Sequence, residues 1–163
     1  MNYVEAPDMP LTVMKPIVFL AGGITGCPEW QKEVIAKLAN VEEGTVFNPR
    51  KLSFDLSQPK EAISQIRWEA QWLWTSEIVT FWFCKETVCP ITLFELGCHL
   101  VRSRLAKVNI PHICIGIEPG YTREFDIREQ VKIITPEVPI VNSLDGIVDF
   151  ITENVKILSE ENK

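Results

Sequence analysis

The feature that most constrains this chain is a regular alternation of short apolar runs with longer amphipathic stretches. The runs Pro16–Ala21 (PIVFLA), Thr45–Asn48, Ile78–Phe83 (IVTFWF), His112–Ile117 and Val138–Val141 are short, rich in β-branched or aromatic residues and bounded by turn residues, so each reads as a buried strand. Between and after them, Trp30–Asn40, Pro59 to about Ser76, Pro90 to about Ala106, Phe125–Ile134 and Ser143–Leu158 read as helices. Pro90 suits a first helical turn, and Ser143 with Asp145 and Gly146 suits a helix start. A strand followed each time by a helix predicts an α/β fold. The expectation is a single doubly wound, flavodoxin-like (Rossmann-like) parallel sheet of about five strands with helices on both faces. Residues 1–14 are expected to be a loose leader and residues 15–160 one domain. In such sheets ligands bind beyond the carboxyl ends of the strands. That rule points to Gly22–Trp30, Asn48–Phe54, Trp82–Ile91 and Glu118–Phe125.

Composition narrows the partners. A chain of 163 residues can bury a core of its own. Sixteen Lys and Arg against 22 Asp and Glu give a net charge of −6, which disfavours a nucleic acid polymer. The five cysteines form no CxxC pair and there are only two histidines, so no metal site is expected, and the cysteines are read as free thiols. The longest apolar run, Ile17–Ala21, is too short to span a membrane, and residues 1–14 lack the pattern of a secretory signal. No membrane partner is expected, and a cytoplasmic location is. The loop GGITGCPEW does not have the GxGxxG spacing, so no dinucleotide cofactor is expected.

One residue stands out chemically. On the helix from Pro90, residues Ile91, Phe94, Cys98, Val101 and Leu105 fall on one apolar stripe, and Glu95 falls on it too. A carboxylate among apolar residues is costly unless it is used or paired. Near a helix N-terminus it stays favourable as an anion and suits a carboxylate nucleophile. The opposite side, Leu93, Leu96 and Leu100, is also apolar, so the helix is covered on two sides, the second by a partner subunit or by a larger core of the same chain. The helix from Pro59 carries a core stripe at Ile63, Ile66, Ala70 and Leu73, with Glu69 at its rim and Trp68 and Trp72 directed outward. A homo-oligomer held partly by Leu93, Leu96, Leu100, Trp68 and Trp72 is therefore expected. Trp82, late in its strand, is a candidate to line a base-sized slot.

Taken in order, FLAGGITGCPEW, VFNPRKLSF, QIRWEAQWLWTSEIVTFWF, PITLFELG and PGYTREFDIREQ resemble the nucleoside 2-deoxyribosyltransferase-like family, in its compact phage and bacterial branch. The likeness runs over about residues 15–150. It implies a nucleoside or nucleotide substrate, cleavage of the N-glycosidic bond of a 2'-deoxynucleoside or its monophosphate, and no cofactor. It also implies Glu95 as the nucleophile of the ELG motif and Glu69 as the acid near the leaving base. Gly22, Gly23 and Ile24 resemble the loop that admits the sugar; Asn48, Pro49 and Arg50 resemble the pocket-lining NPR loop; Thr92 matches the threonine kept before the nucleophile. Two departures are Phe19, where transferases of the family commonly have Tyr, and Cys89-Pro90-Ile91-Thr92, where they carry D-x-G-T. Two other readings stay open. One is a nucleotide or NAD-type N-glycosidase in which Arg50, Arg123 and Arg128 serve phosphate. The other is a non-catalytic nucleotide-binding protein on the same fold.

Overall fold

The computed structural model describes residues 1–51, 59–106 and 110–161. The expected polar loop Arg50–Gln58 falls outside the described residues from 52 onward. Six parallel strands form one sheet: β1 (Asn2–Glu5), β2 (Ile17–Gly22), β3 (Thr45–Asn48), β4 (Ile78–Phe83), β5 (His112–Ile117) and β6 (Ile140–Val141), in the order β1-β3-β2-β4-β5-β6. Without β1 this is the flavodoxin-like order. The helices are α1 (Trp30–Lys37, continued by a 3-10 turn Leu38–Asn40), α2 (Pro59–Thr75), α3 (Pro90–Leu105), α4 (Glu124–Ile134) and α5 (Leu144–Glu161). The fold is the α/β sheet expected, with one strand more.

The sixth strand comes from the segment expected to be loose. Residues 2–5 pair in parallel with Thr45–Asn48 and cap the sheet edge. Trp68 Nε1 donates to the Asp8 carbonyl at 2.8 Å and so ties the leader to α2. A four-residue strand with polar Asn2 and Glu5 carries too little periodicity to be read as one.

The central strands are buried on both sides, as crossover helices require. Successive residues of β4 show the two faces. Phe81 packs on His99 of α3, with centroids 5.8 Å apart, whereas Trp82 packs on Trp30 of α1 at 6.4 Å. The helices α1 and α5 pack together on the Trp82 face, and α2, α3 and α4 cover the other.

Two helical phases differ from the sequence reading. On α2 the buried residues are Gln65, Trp68, Trp72 and Leu73, while Ile63 and Ile66 are 49% and 62% exposed. Trp68 and Trp72 point inward, not outward: Trp68 meets Phe19 and Phe47 at 6.2 and 5.9 Å, and Trp72 stacks on Phe47 at 4.0 Å. Two indoles against two phenyl rings bury more apolar area than the isoleucines would, and that decides the rotation. On α3 the buried residues are Thr92, Leu96, His99 and Leu100, while Ile91 and Phe94 are 65% and 72% exposed. The stripe assigned to the core thus faces outward. Leu96 and Leu100, assigned to an outer contact, are core residues.

Candidate active site

The side chain of Glu95 lies in the second turn of α3, beside the buried stripe Thr92–Leu96–His99. His99 fixes this helix. Its Nδ1 lies 3.0 Å from the Glu95 carbonyl and its Nε2 lies 3.3 Å from the Leu73 carbonyl, which joins α3 to the end of α2. Burial lowers the His99 pKa, with the two carbonyls opposing. Glu69 sits on the neighbouring α2. Burial raises its pKa, and a hydrogen bond from Gln65 partly offsets the rise. For Glu95, burial and then the charge of Glu69 push the pKa from 4.5 to about 7. The fold therefore brings the two carboxyls within electrostatic reach of each other, both partly desolvated. Glu95 therefore holds its proton close to neutrality.

Gln65, which the sequence reading passed over, links this pair to the NPR loop. Its Nε2 donates to the Pro49 carbonyl and to Glu69 Oε1, both at 2.8 Å. Its Oε1 is buried without a partner among the described residues. One sequence signal was available: Gln65 stands one helical turn before Glu69.

The other expected contacts are placed less directly. Thr92 is buried in the first turn of α3. Asn48 is fully engaged: its Nδ2 donates to Tyr3 Oη at 3.0 Å and its Oδ1 accepts from the Arg50 amide at 2.9 Å. Arg50 is a clamp on the glycine loop. Its Nη2 donates to the carbonyls of Ile24, Cys27 and Pro28 at 3.2, 3.2 and 2.7 Å, and its Nε donates to Gln31 Oε1 at 3.0 Å. Arg123 and Arg128 pair with Asp126 and Glu124. All three arginines considered for phosphate thus have partners within the chain. Gly22 ends β2, and Gly23 follows it with its carbonyl accepting from Trp30 Nε1 at 2.9 Å. Gly23 is required by packing: a Cβ there would meet three sulfurs, the nearest at 2.3 Å. Trp82 does not line a slot beside the carboxyls. Its ring lies over Gly116 on the α1/α5 face, where a Cβ would meet it at 2.3 Å. A surface hollow of about 380 Å³ lined by Met14, Lys15, Glu43 and Ser159 includes neither carboxyl and flanks the amino ends of β2 and β3.

The expectation of free thiols holds for Cys89, Cys98 and Cys114 and is corrected for Cys27 and Cys84. Cys27 and Cys84 form a disulfide, and Cys89 lies beside it. Residues distant in sequence converge here because three loops meet at the carboxyl end of β2 and β4, which spacing alone does not show.

The site is thus a flavodoxin-like α/β sheet with two partly buried carboxyls, Glu69 and Glu95, on helices α2 and α3. The chain belongs to the nucleoside 2-deoxyribosyltransferase-like family, whose profile matches residues 15–112. Glu69, Glu95, Gly22–Ile24 and Asn48–Arg50 all fall inside that span, and the stretch PGYTREFDIREQ lies beyond it. No curated protein matches the chain. No helix among the described residues is long and apolar enough to cross a membrane.

Proposed function

We propose that the protein cleaves the N-glycosidic bond of a 2'-deoxynucleoside or its monophosphate through a covalent deoxyribosyl-Glu95 intermediate. The observation that carries this reading is the coupled carboxyl pair Glu69 and Glu95 in a chain of this family. In the first step the ionised Glu95 carboxylate bonds to C1′ as the C1′–N bond breaks. The departing base nitrogen takes a proton from Glu69. In the second step another base or water attacks C1′, Glu95 leaves as a carboxylate, and the proton of the acceptor passes to Glu69. This is the retaining two-carboxylate logic. The reaction uses the state in which the proton sits on Glu69 and Glu95 is ionised, and burial, which raises the Glu69 pKa, favours the acid form there.

The exposed residues Ile63 and Ile66 on α2, and Ile91, Phe94, Val101 and Leu105 on α3, support a homo-oligomer. These replace the residues first assigned to that contact.

Incubation with the four deoxynucleosides, their monophosphates and NAD, followed by chromatography for free base, tests the reaction. Base release that depends on an acceptor base makes it a transferase, and release into water alone a hydrolase. Glu95→Gln and Glu95→Ala should lose at least about 10³-fold in rate. Turnover within about tenfold of the parent would remove Glu95 as nucleophile. Cleavage of NAD alone would favour the NAD-type reading, and ligand binding with no turnover the non-catalytic one.

A further inference from the structure

Three of the five cysteines converge on one point. Cys27 lies in the loop after β2, Cys84 directly follows β4, and Cys89 directly precedes α3. Cys27 and Cys84 are joined, and Cys89 Sγ lies 4.0 Å from Cys27 Sγ and 3.8 Å from Cys84 Sγ. A Cβ placed on Gly23 would stand 2.3, 2.7 and 2.9 Å from the sulfurs of Cys27, Cys89 and Cys84, so all three aim at the same spot. Cys98 and Cys114 are free thiols outside the group.

Each sulfur is delivered by a separately fixed piece of backbone. The Cys27 amide donates to the Ile24 carbonyl at 3.2 Å, and its carbonyl accepts from Arg50. Cys84 is fully buried. Cys89 holds a left-handed conformation (φ 50°), unusual for a residue with a side chain, and its amide donates to Thr87 Oγ1 at 3.3 Å. Tyr121 Oη, donating to the Val88 carbonyl at 2.7 Å, fastens the residue before it. The Lys85 amide donates to Glu118 at 3.1 Å and fastens the other end of the same turn.

We propose that, once the Cys27–Cys84 bond is reduced, Cys27, Cys84 and Cys89 bind a single soft cation, zinc(II) or copper(I), as three thiolates. A sulfur–metal bond of about 2.3 Å sets ligand sulfurs about 3.8 Å apart in a tetrahedron and about 4.0 Å apart in a trigonal plane. Cys89 already stands at those distances, 3.8 and 4.0 Å, from both partners. Only the Cys27–Cys84 separation must open. A ligand set of sulfur alone selects thiophilic ions over magnesium or calcium. Gly23 closes one side, so the ion seats on the opposite side of the sulfur triangle. A dithiol or phosphine reductant supplies two electrons, and with two protons the disulfide becomes two thiols while the reductant is oxidised. Each of the three sulfurs then releases its proton as it bonds the ion. The bound ion would clamp the glycine loop to the start of α3, and this holds whether or not the glycosidic reading is correct.

The test uses the whole chain, freed of metal and reduced by a phosphine without oxygen. Reduction should expose all five thiols. Titration with cadmium(II) should then give a sulfur-to-metal charge-transfer band that saturates at one equivalent. Zinc(II) or copper(I) should displace it. Cys27→Ser and Cys89→Ser should weaken binding by about 100-fold or more, and Cys98→Ser should leave it unchanged. On the unaltered chain, zinc(II) or copper(I) should shield Cys27, Cys84 and Cys89 from alkylation while Cys98 still reacts, as read by peptide mass spectrometry. This arm needs no variant to fold. A disulfide that resists reduction in the folded chain, no saturation at one equivalent, an unchanged band in Cys89→Ser, or equal alkylation with and without metal would each overturn the proposal.

Discussion

Replacing Glu95 by Gln should make the protein more stable at alkaline pH while removing its proposed nucleophile. In the folded chain burial, and next the charge of Glu69, lift the Glu95 carboxyl from 4.5 to about 7. A carboxyl raised in this way stabilises the fold fully below its unfolded pKa, and that contribution is lost as pH rises through about 7. The gap of about 2.5 on the pH scale, at ~1.4 kcal/mol per tenfold change, makes the ionised form cost ~3 kcal/mol. Glu95 is only partly buried, so solvent screening makes this an upper figure. Gln has nearly the same shape and no charge, so the variant escapes the cost. Urea denaturation should show Glu95→Gln ahead of the parent by up to ~3 kcal/mol at about pH 8.5 and by ~1 kcal/mol or less at about pH 5. A stability difference that does not change over that range would refute the reasoning, because a packing effect of the amide has no pH dependence. Base release measured on the same samples should be lost at both pH values.

Glu69→Gln should slow release of natural bases by about 10²-fold or more, yet slow much less a substrate whose base leaves unaided; equal losses would make Glu69 a binding residue. With that activated substrate, the acid limb of the rate profile, set near about 7 by Glu95, should move to lower pH in Glu69→Gln, because the repelling charge is gone while the burial remains. Arg50→Ala should cost ~2 kcal/mol in urea denaturation, since the carbonyls of Ile24, Cys27 and Pro28 lose one common donor, and Arg50→Lys should restore only part, as one ammonium cannot reproduce the fork. Light scattering should find the parent larger than the 18.6 kDa of one chain and Phe94→Asp reduced towards it; a monomeric parent at micromolar concentration would remove the proposed assembly.

Much of the architecture was legible because the boundary residues are unambiguous. Pro59 and Pro90 each begin a helix, and the apolar runs from Ile17, Ile78 and His112 are strands buried on both faces. What was not legible has physical causes. Edge strand β1 is short and polar. The phases of α2 and α3 failed because a stripe of aliphatic residues was weighed above indoles and polar groups; the structure instead packs Trp68 and Trp72 on Phe19 and Phe47. Glu69 and Glu95 stand out in the sequence, but that the charge of Glu69 bears on the ionisation of Glu95 depends on how two helices lie side by side. The sulfur group joins residues 57 apart with one only five further on, a contact that only the meeting of three loops creates.

The rotation of α2 and α3 also explains why this face of the sheet is so polar. Gln65, Thr92 and His99 are buried there, and Glu69 and Glu95 are partly so, while Ile66, Ile91 and Phe94 stand in solvent. On α2 the indoles account for the rotation, but on α3 hydrophobic burial alone would favour turning Ile91 and Phe94 inward, by roughly 2 kcal/mol for each. The inner polar groups recover part of that through bonds that also position the carboxyls. His99 joins Glu95's own backbone to α2, and Gln65 joins Glu69 to Pro49. The remaining cost falls on Glu95, whose ionised form is desolvated and repelled by Glu69. A chain selected for stability alone would have little reason to keep that arrangement. The proposed nucleophile and the proposed second copy over the outer stripes would supply a reason for both halves of the inversion.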